Sequence, residues 1–211
     1  MKILEKNIAE RLLRIKAIKL QPNNPFVWAS GWKSPIYCDN RKTLSYPSIR
    51  TYIKNALVRT IMDIYPDVEV IAGVATGAIA QGALIADELG LPFIYVRSSP
   101  KDHGLENLIE GDLKPKQKVV VIEDLISTGG SSLKAVEAIR KDGSEVLGMV
   151  AIFTYGFQTA EEKFKNAKVK LTVLSNYDAV LSEALSTNYI SDNDLDTLRE
   201  WRKNPSVWKK D

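Results

Sequence analysis

Cysteine and histidine are almost missing from this chain: each occurs once in 211 residues, as Cys38 and His103. One cysteine excludes an intrachain disulfide and suits a reducing compartment. Neither HExxH nor paired CxxC spacing is present, so the sequence offers no protein-only metal cage. GxSxG and the dinucleotide GxGxxG are missing too, which removes the usual signs of a serine nucleophile or a nicotinamide site. No apolar run approaches the roughly 18 residues of a membrane span. The first twenty residues are amphipathic and charged throughout, unlike a secretory signal. Charge of one sign is also scarce: 29 basic against 26 acidic residues give a net +3, too slight to argue for nucleic acid. These absences point to a soluble, cytoplasmic chain with no membrane and no nucleic-acid partner. There is no internal repeat and no low-complexity linker. With 45% hydrophobic and 26% charged residues, the length suits one domain with a substantial core.

What is present centres on Lys118–Ser132, KVVVIEDLISTGGSS. Val119–Ile122 is an apolar run flanked by polar residues, which fits a strand covered on both faces of a parallel sheet. Glu123 and Asp124 follow at its carboxyl end, where open α/β sheets bind ligands. Ser127–Ser132 then supplies glycines, hydroxyls and backbone N–H groups ahead of an amphipathic helix, and such a turn holds phosphate. A GxxxxGK[ST] loop would carry a lysine and no acidic pair before it; here the acids come first. Adjacent carboxylates suit the vicinal hydroxyls of a ribose, and the turn suits a 5′-phosphate. The segment therefore reads as a sugar-phosphate site. The plainer alternative is a strand–turn–helix with a solvated acidic end.

Along the rest of the chain, residues 3–19 carry apolar positions at helical spacing. A Pro-, Gly- and Asn-rich stretch follows, in which Phe26–Trp28 and Ile36–Cys38 read as two short strands joined through Ser30–Gly31. Pro47–Tyr65 has one apolar stripe (Ile49, Ile53, Ala56, Leu57, Ile61 and Ile64) and reads as a helix. Val68–Ala72 is a strand leading into the turn GVATGAIA and a helix over 78–89. The glycines of that turn allow close approach to a phosphate or pyrophosphate, or else tight helix–strand contact. Pro92–Val96 is the next strand. Residues 98–116 are polar and long for a connection, the profile of a lid or binding loop. Arg97, Lys101 and His103 lie within seven residues at its start; solvated loop charges are the plainer reading. Leu133–Lys141 continues the helix after the turn, and Val146–Phe153 is a strand ending in Tyr155-Gly156-Phe157 at the ligand edge. Residues 158–167 read as helix, Val169–Leu174 as the last strand, and the tail as two helical segments. Alternating strands and helices from 47 to 175 imply an α/β fold, a parallel sheet flanked by helices.

VVVIEDLISTGGSS resembles the phosphoribosyl-pyrophosphate (PRPP) signature of type I phosphoribosyltransferases. Three further segments resemble the orotate phosphoribosyltransferases. They are Phe26, Ser30, Gly31, Ser34, Pro35 and Tyr37 in the N-terminal hood pattern, Arg97-x-x-x-Lys101-Asp-His103-Gly in the mobile loop, and LREWRKNPSVW in the tail. The resemblance implies a single phosphoribosyltransferase domain over 1–211, with a hood at 1–45, an α/β core at 46–175 and a helical tail at 176–211. It implies transfer of phosphoribosyl from PRPP to orotate in de novo pyrimidine biosynthesis. PRPP would be held by Arg97, Lys101, His103, Glu123, Asp124, Leu125, Ile126, Ser127, Thr128, Gly129, Gly130 and Ser131. Lys101, Asp124 and Glu123 would be catalytic, Ser127 and Tyr37 would meet orotate, and Mg²⁺ would arrive with PRPP and need no protein cage of its own. A homodimer is implied, with loop 97–116 closing over the neighbouring subunit's site.

The sequence departs from the resembling family at three places. The turn GVATGAIA lacks the lysine that one branch has there, Ser98 stands where many have a lysine, and Tyr155 where some have an arginine that holds the substrate carboxylate. Tyr155 keeps open a phosphoribosyltransferase for a purine or uracil. A PRPP-sensing regulator without catalysis is the other alternative, disfavoured by the cationic set at 97–103 and the low net charge.

Overall fold

The computed structural model describes residues 2–28, 30–98 and 108–209. Lys101 and His103 therefore lie outside the described residues. Helix α1 (Ile3–Arg14) is followed by β1 (Ile18–Leu20), β2 (Phe26–Val27), β3 (Lys33–Ser34) and β4 (Ile36–Cys38), then a 3₁₀ helix, Asn40–Ser45. The alternating part comprises α2 (Pro47–Ile64), β5 (Val70–Val74), α3 (Ile79–Leu89), β6 (Phe93–Val96), β7 (Ile109–Glu110), β8 (Lys118–Ile126), α4 (Gly130–Lys141), β9 (Glu145–Thr154), α5 (Gln158–Asn166) and β10 (Leu171–Asn176). Two tail helices, α6 (Tyr177–Ser186) and α7 (Asp192–Lys203), complete the chain. Among the described residues, no helix is long and apolar enough to cross a membrane.

Six strands form one sheet in the order β10-β9-β8-β5-β6-β7. Five run parallel, as the alternation of strands and helices requires, and β7 pairs antiparallel with β6 at the edge. The polar stretch after Arg97 thus contains an edge strand that its composition conceals. Successive residues of the central strands point to opposite faces. Ile71, Val120, Ile122, Val150 and Ile152 face a core built with α1, α2, α3 and the tail helices. Val70, Ala72, Val119, Val121, Met149 and Ala151 face the core built with α4 and α5. This two-sided burial is why the strands read as unbroken apolar runs.

The chain leaves β5 toward β6 on one side and returns to β8 on the other. The crevice outside the carboxyl ends of β5 and β8 is therefore the switch point of the sheet, where open α/β folds bind ligands.

The N-terminal segment differs from its sequence reading in two ways. α1 stops at Arg14, and Lys16 has a positive φ of 55°. The apolar residues that follow pair as β1 with β4, Ile18 opposite Cys38. Phe26 pairs with Ser34, so β2 and β4 are not partners; the short β3 intervenes. The hood is thus two small ribbons. The tail closes over them through aromatic contacts: the Trp201 ring lies 5.6 Å from Trp28, 5.8 Å from Tyr155 and 5.6 Å from Tyr177.

Candidate active site

At the switch point a cavity of about 360 Å³ is lined by Cys38, Asp39, Arg41, Val74, Ala75, Thr76, Gly77, Glu123, Asp124, Leu125 and Ser131. Three segments meet there: the hood, the turn after β5, and the end of β8 with the start of α4.

Asp124 and Glu123 are successive strand residues, and their environments differ. Glu123 is 5% exposed, and both of its oxygens are engaged. Oε2 accepts the Ser132 hydroxyl at 2.7 Å and Oε1 accepts the Asp124 backbone N–H at 3.1 Å. Burial, then the neighbouring charge of Asp124, pushes its carboxyl up to about 8. Asp124 is also raised by burial, while hydrogen bonding from Glu123 and the charge of Arg41 pull against that rise. Glu123 is the more enclosed of the two and is braced by Ser132, while Asp124 is the one that the Arg41 charge reaches. Strand alternation would send the two side chains to opposite faces, yet both residues border the cavity.

The turn after β8 takes the form its composition predicts. Gly129, at the N-terminal boundary of α4, has a φ of +73°, and an added Cβ would come within 2.9 Å of Phe164. Among the described residues no side chain caps the helix, which leaves the first-turn amides available to an anion. Lys163 of α5 donates to the Thr128 carbonyl at 3.2 Å and braces the turn from behind. The turn after β5 contains a cis peptide bond, Ala75–Thr76, and brings Gly77 against the Asp124 carboxyl.

The hood is tied to the sheet by Asn40, which is 2% exposed. Its side-chain amide donates to the Asp124 carbonyl at 2.6 Å, and Thr43 Oγ1 donates to the Asn40 carbonyl at 2.6 Å. Asp39 accepts from the Arg41 backbone N–H at 3.2 Å and from Arg41 Nε at 2.7 Å. The Arg41 guanidinium holds the Asp39 carboxyl below its usual range. Cys38 lines the wall with its thiol pushed up by burial and by the charges of Asp124 and Asp39.

Of the residues proposed from sequence, Glu123, Asp124, Leu125 and Ser131 share the cavity wall. Ile126, Ser127, Thr128, Gly129 and Gly130 form the adjoining strand end and turn and do not line it. Tyr37 is 39% exposed and packs on Phe26 at 5.5 Å, away from the lining. Arg97 is ion-paired with Glu110 at 3.5 Å, beside the edge strand. Tyr155 is 2% exposed, ringed by Trp28, Phe153, Phe157, Tyr177 and Trp201, and is not part of the wall. Sequence reasoning passed over Asp39, Asn40 and Arg41. The hood pattern ends at Tyr37, and an arginine in a loop carries no periodic signal.

Residues 45–185 match the phosphoribosyl transferase domain family. The chain is 70% identical to an orotate phosphoribosyltransferase of Porphyromonas gingivalis over 99% of both chains. It is 60% identical to one from Cytophaga hutchinsonii over 97% of this chain and 98% of that one. The crystal structure of orotate phosphoribosyltransferase from Aeropyrum pernix superposes with a TM-score of 0.76 at 28% identity, covering 87% of this chain and 99% of that one.

Proposed function

This chain belongs to the phosphoribosyl transferase domain family, in its orotate phosphoribosyltransferase branch, and we propose that the cavity at the β5–β8 switch point is its active site. The enzyme transfers the phosphoribosyl group of PRPP to orotate, giving orotidine 5′-monophosphate and pyrophosphate, a step of pyrimidine biosynthesis. One observation carries the assignment of the site. A pair of carboxylates at a strand end, the glycine turn after β5 and the uncapped N-terminus of α4 meet at a single cavity.

As the C1–O bond to pyrophosphate breaks, the bond from C1 to the base nitrogen forms, and the ribose passes through a state with oxocarbenium character. Asp124 would accept the ribose hydroxyls and place negative charge beside that developing cation. Glu123, held by Ser132, would fix the rotamer and charge of Asp124. Ser127–Ser131, with Leu125 and Ile126 leading into the turn, would hold the 5′-phosphate on the α4 amides. The turn Ala75–Gly77 would approach the pyrophosphate with its backbone. Arg97, Lys101 and His103 would neutralise the leaving group and exclude water, with Lys101 acting in catalysis. Ser127 and Tyr37 would border the base.

Mg²⁺ fits this donor set. The wall offers the carboxyl groups of Asp39, Glu123 and Asp124, which are hard donors, to a hard cation that keeps most of its ligands from substrate and water. When bound with PRPP, the ion would offset pyrophosphate charge. We further propose one functional unit of hood, core and tail, working as a cytoplasmic homodimer in which loop 97–116 covers the partner's site.

The test is pyrophosphate release from PRPP and Mg²⁺ with orotate, uracil, xanthine, hypoxanthine and adenine offered separately. Turnover with orotate alone is expected. Preference for another base would overturn the orotate reading while leaving the PRPP site in place. Silence with all five would leave a sensor.

A further inference from the structure

Orotate carries a ring carboxylate, and the site as assigned above gives that charge no partner. Position 155 holds a tyrosine buried in the aromatic cluster and absent from the cavity wall. We propose that Arg41 of the hood binds the orotate carboxylate and is the residue that selects a carboxylated base; the inference rests on the orotate reading above.

Three observations support it. First, Arg41 is the only cationic side chain on the cavity wall among the described residues. A substrate with a carboxylate entering beside Asp124 needs a positive counterpart, and the wall supplies one. Second, the guanidinium is pre-set. Its Nε and the residue's own backbone N–H both converge on Asp39 Oδ1, and its two terminal nitrogens have no partner among the described residues. Those nitrogens are the edge that pairs with a carboxylate through two parallel hydrogen bonds. The side chain is 59% exposed, so nothing in the fold has to move aside for a ligand to reach it.

Third, Arg41 is placed relative to the reacting sugar by the next residue back. Asn40 is locked to the carbonyl of Asp124, and Arg41 is close enough to both Asp124 and Tyr37 to interact electrostatically with each. The base must lie next to the ribose that Asp124 holds, which is where this guanidinium is presented. Tyr155 is the weaker candidate. Burial keeps its phenol protonated, so it would offer at most a single neutral hydrogen bond.

The test uses two product-type ligands that differ only in this carboxylate, orotidine 5′-monophosphate and uridine 5′-monophosphate. Each is titrated calorimetrically into the wild-type protein and into Arg41→Gln and Arg41→Lys, with folding checked by circular dichroism. The wild type is expected to favour the carboxylated nucleotide by about tenfold or more, the range of a charge-assisted pair. Arg41→Gln should bring the two affinities to within about twofold, by weakening the carboxylated ligand alone. Arg41→Lys should restore part of the difference. An unchanged preference in Arg41→Gln would overturn the proposal. Equal weakening of both nucleotides, or a loss confined to PRPP binding, would also overturn it, because Arg41 would then serve the sugar phosphate or the pyrophosphate. A wild type that turns over another base but not orotate would remove the orotate reading itself, and this proposal with it.

Discussion

The α-carbon of Gly77 faces the Asp124 carboxyl so closely that a β-carbon there would overlap all three carboxyl atoms. Gly77 is not in the left-handed region, so the backbone would accept alanine; only the neighbour would not. The glycine of the first turn thus makes room for the acid of the second, and the two halves of the proposed PRPP site depend on each other.

Gly77→Ala is accordingly expected to displace the Asp124 side chain while leaving the sheet intact. A misplacement near 1 Å costs on the order of 10²-fold, so kcat/KM for PRPP should fall by about ten- to a hundredfold. The melting temperature should stay within about 3 °C of wild type. Steady-state kinetics and thermal unfolding check both parts.

Glu123 makes stability depend on pH with a defined sign. Its folded pKa, raised to about 8, exceeds the unfolded carboxyl value, so the folded state holds a proton that the unfolded chain has released. The stabilisation is full below the unfolded pKa of about 4.3 and is lost as pH rises through about 8. Glu123→Gln keeps an acceptor for Ser132 but cannot ionise. It should melt about 2–5 °C above wild type at pH 8, with the gap narrowing toward pH 5. A gap that widens at low pH would contradict the buried, protonated state.

Asn40 holds the hood to the sheet through a part-buried hydrogen bond to the Asp124 carbonyl. Removing it in Asn40→Ala leaves the Asp124 carbonyl without its donor and should cost about 1–3 kcal/mol in denaturant unfolding. Because the same bond sets the hood over the cavity, KM for orotate should rise several-fold, with a smaller change for PRPP. Equal changes in the two would place the role of Asn40 in the sugar site.

Trp201 is fully buried at the centre of the aromatic cluster, and its indole nitrogen has no hydrogen-bond partner among the described residues. Trp201→Ala should cost about 3–5 kcal/mol. Trp201→Phe keeps most of the ring contacts and removes the unsatisfied N–H, so it should cost about 1.5 kcal/mol or less. Chemical unfolding of the two variants separates ring contact from polarity.

The sheet and the acid–turn motif were legible because burial on both faces and a glycine-rich strand-to-helix turn leave patterns in consecutive residues. Helix α2 is legible to within one residue at its end from its 3.6-residue apolar stripe, although that stripe leaves out the buried Val58. The hood was harder. Lys33–Ser34 is a strand by virtue of its partner Phe26–Val27 and has no apolar character of its own. Ile15, Ala17, Ile18 and Leu20 continue apolar positions past the end of α1, and only the turn at Lys16 and the pairing with β4 separate helix from strand. Tyr155 sits at a strand end, where a ligand residue was expected, yet rings from the tail and hood enclose it. That enclosure is tertiary, and no local pattern announces it.

Trp28 and Trp201 also set an order of events. Every residue that lines the cavity lies at or before Ser131, whereas the ring that clasps the hood lies seventy positions later. Ser175 and Lys209 add ties of the same kind, to Glu5 and Pro22. Contacts this distant in sequence form late, because the loop they close must be ordered before they repay it. During synthesis the turn after β8 can therefore assemble on the emerging sheet, while the aromatic clasp on the hood waits for the tail. If the hood borders the base as proposed, competence to choose a base is among the last properties the growing chain acquires.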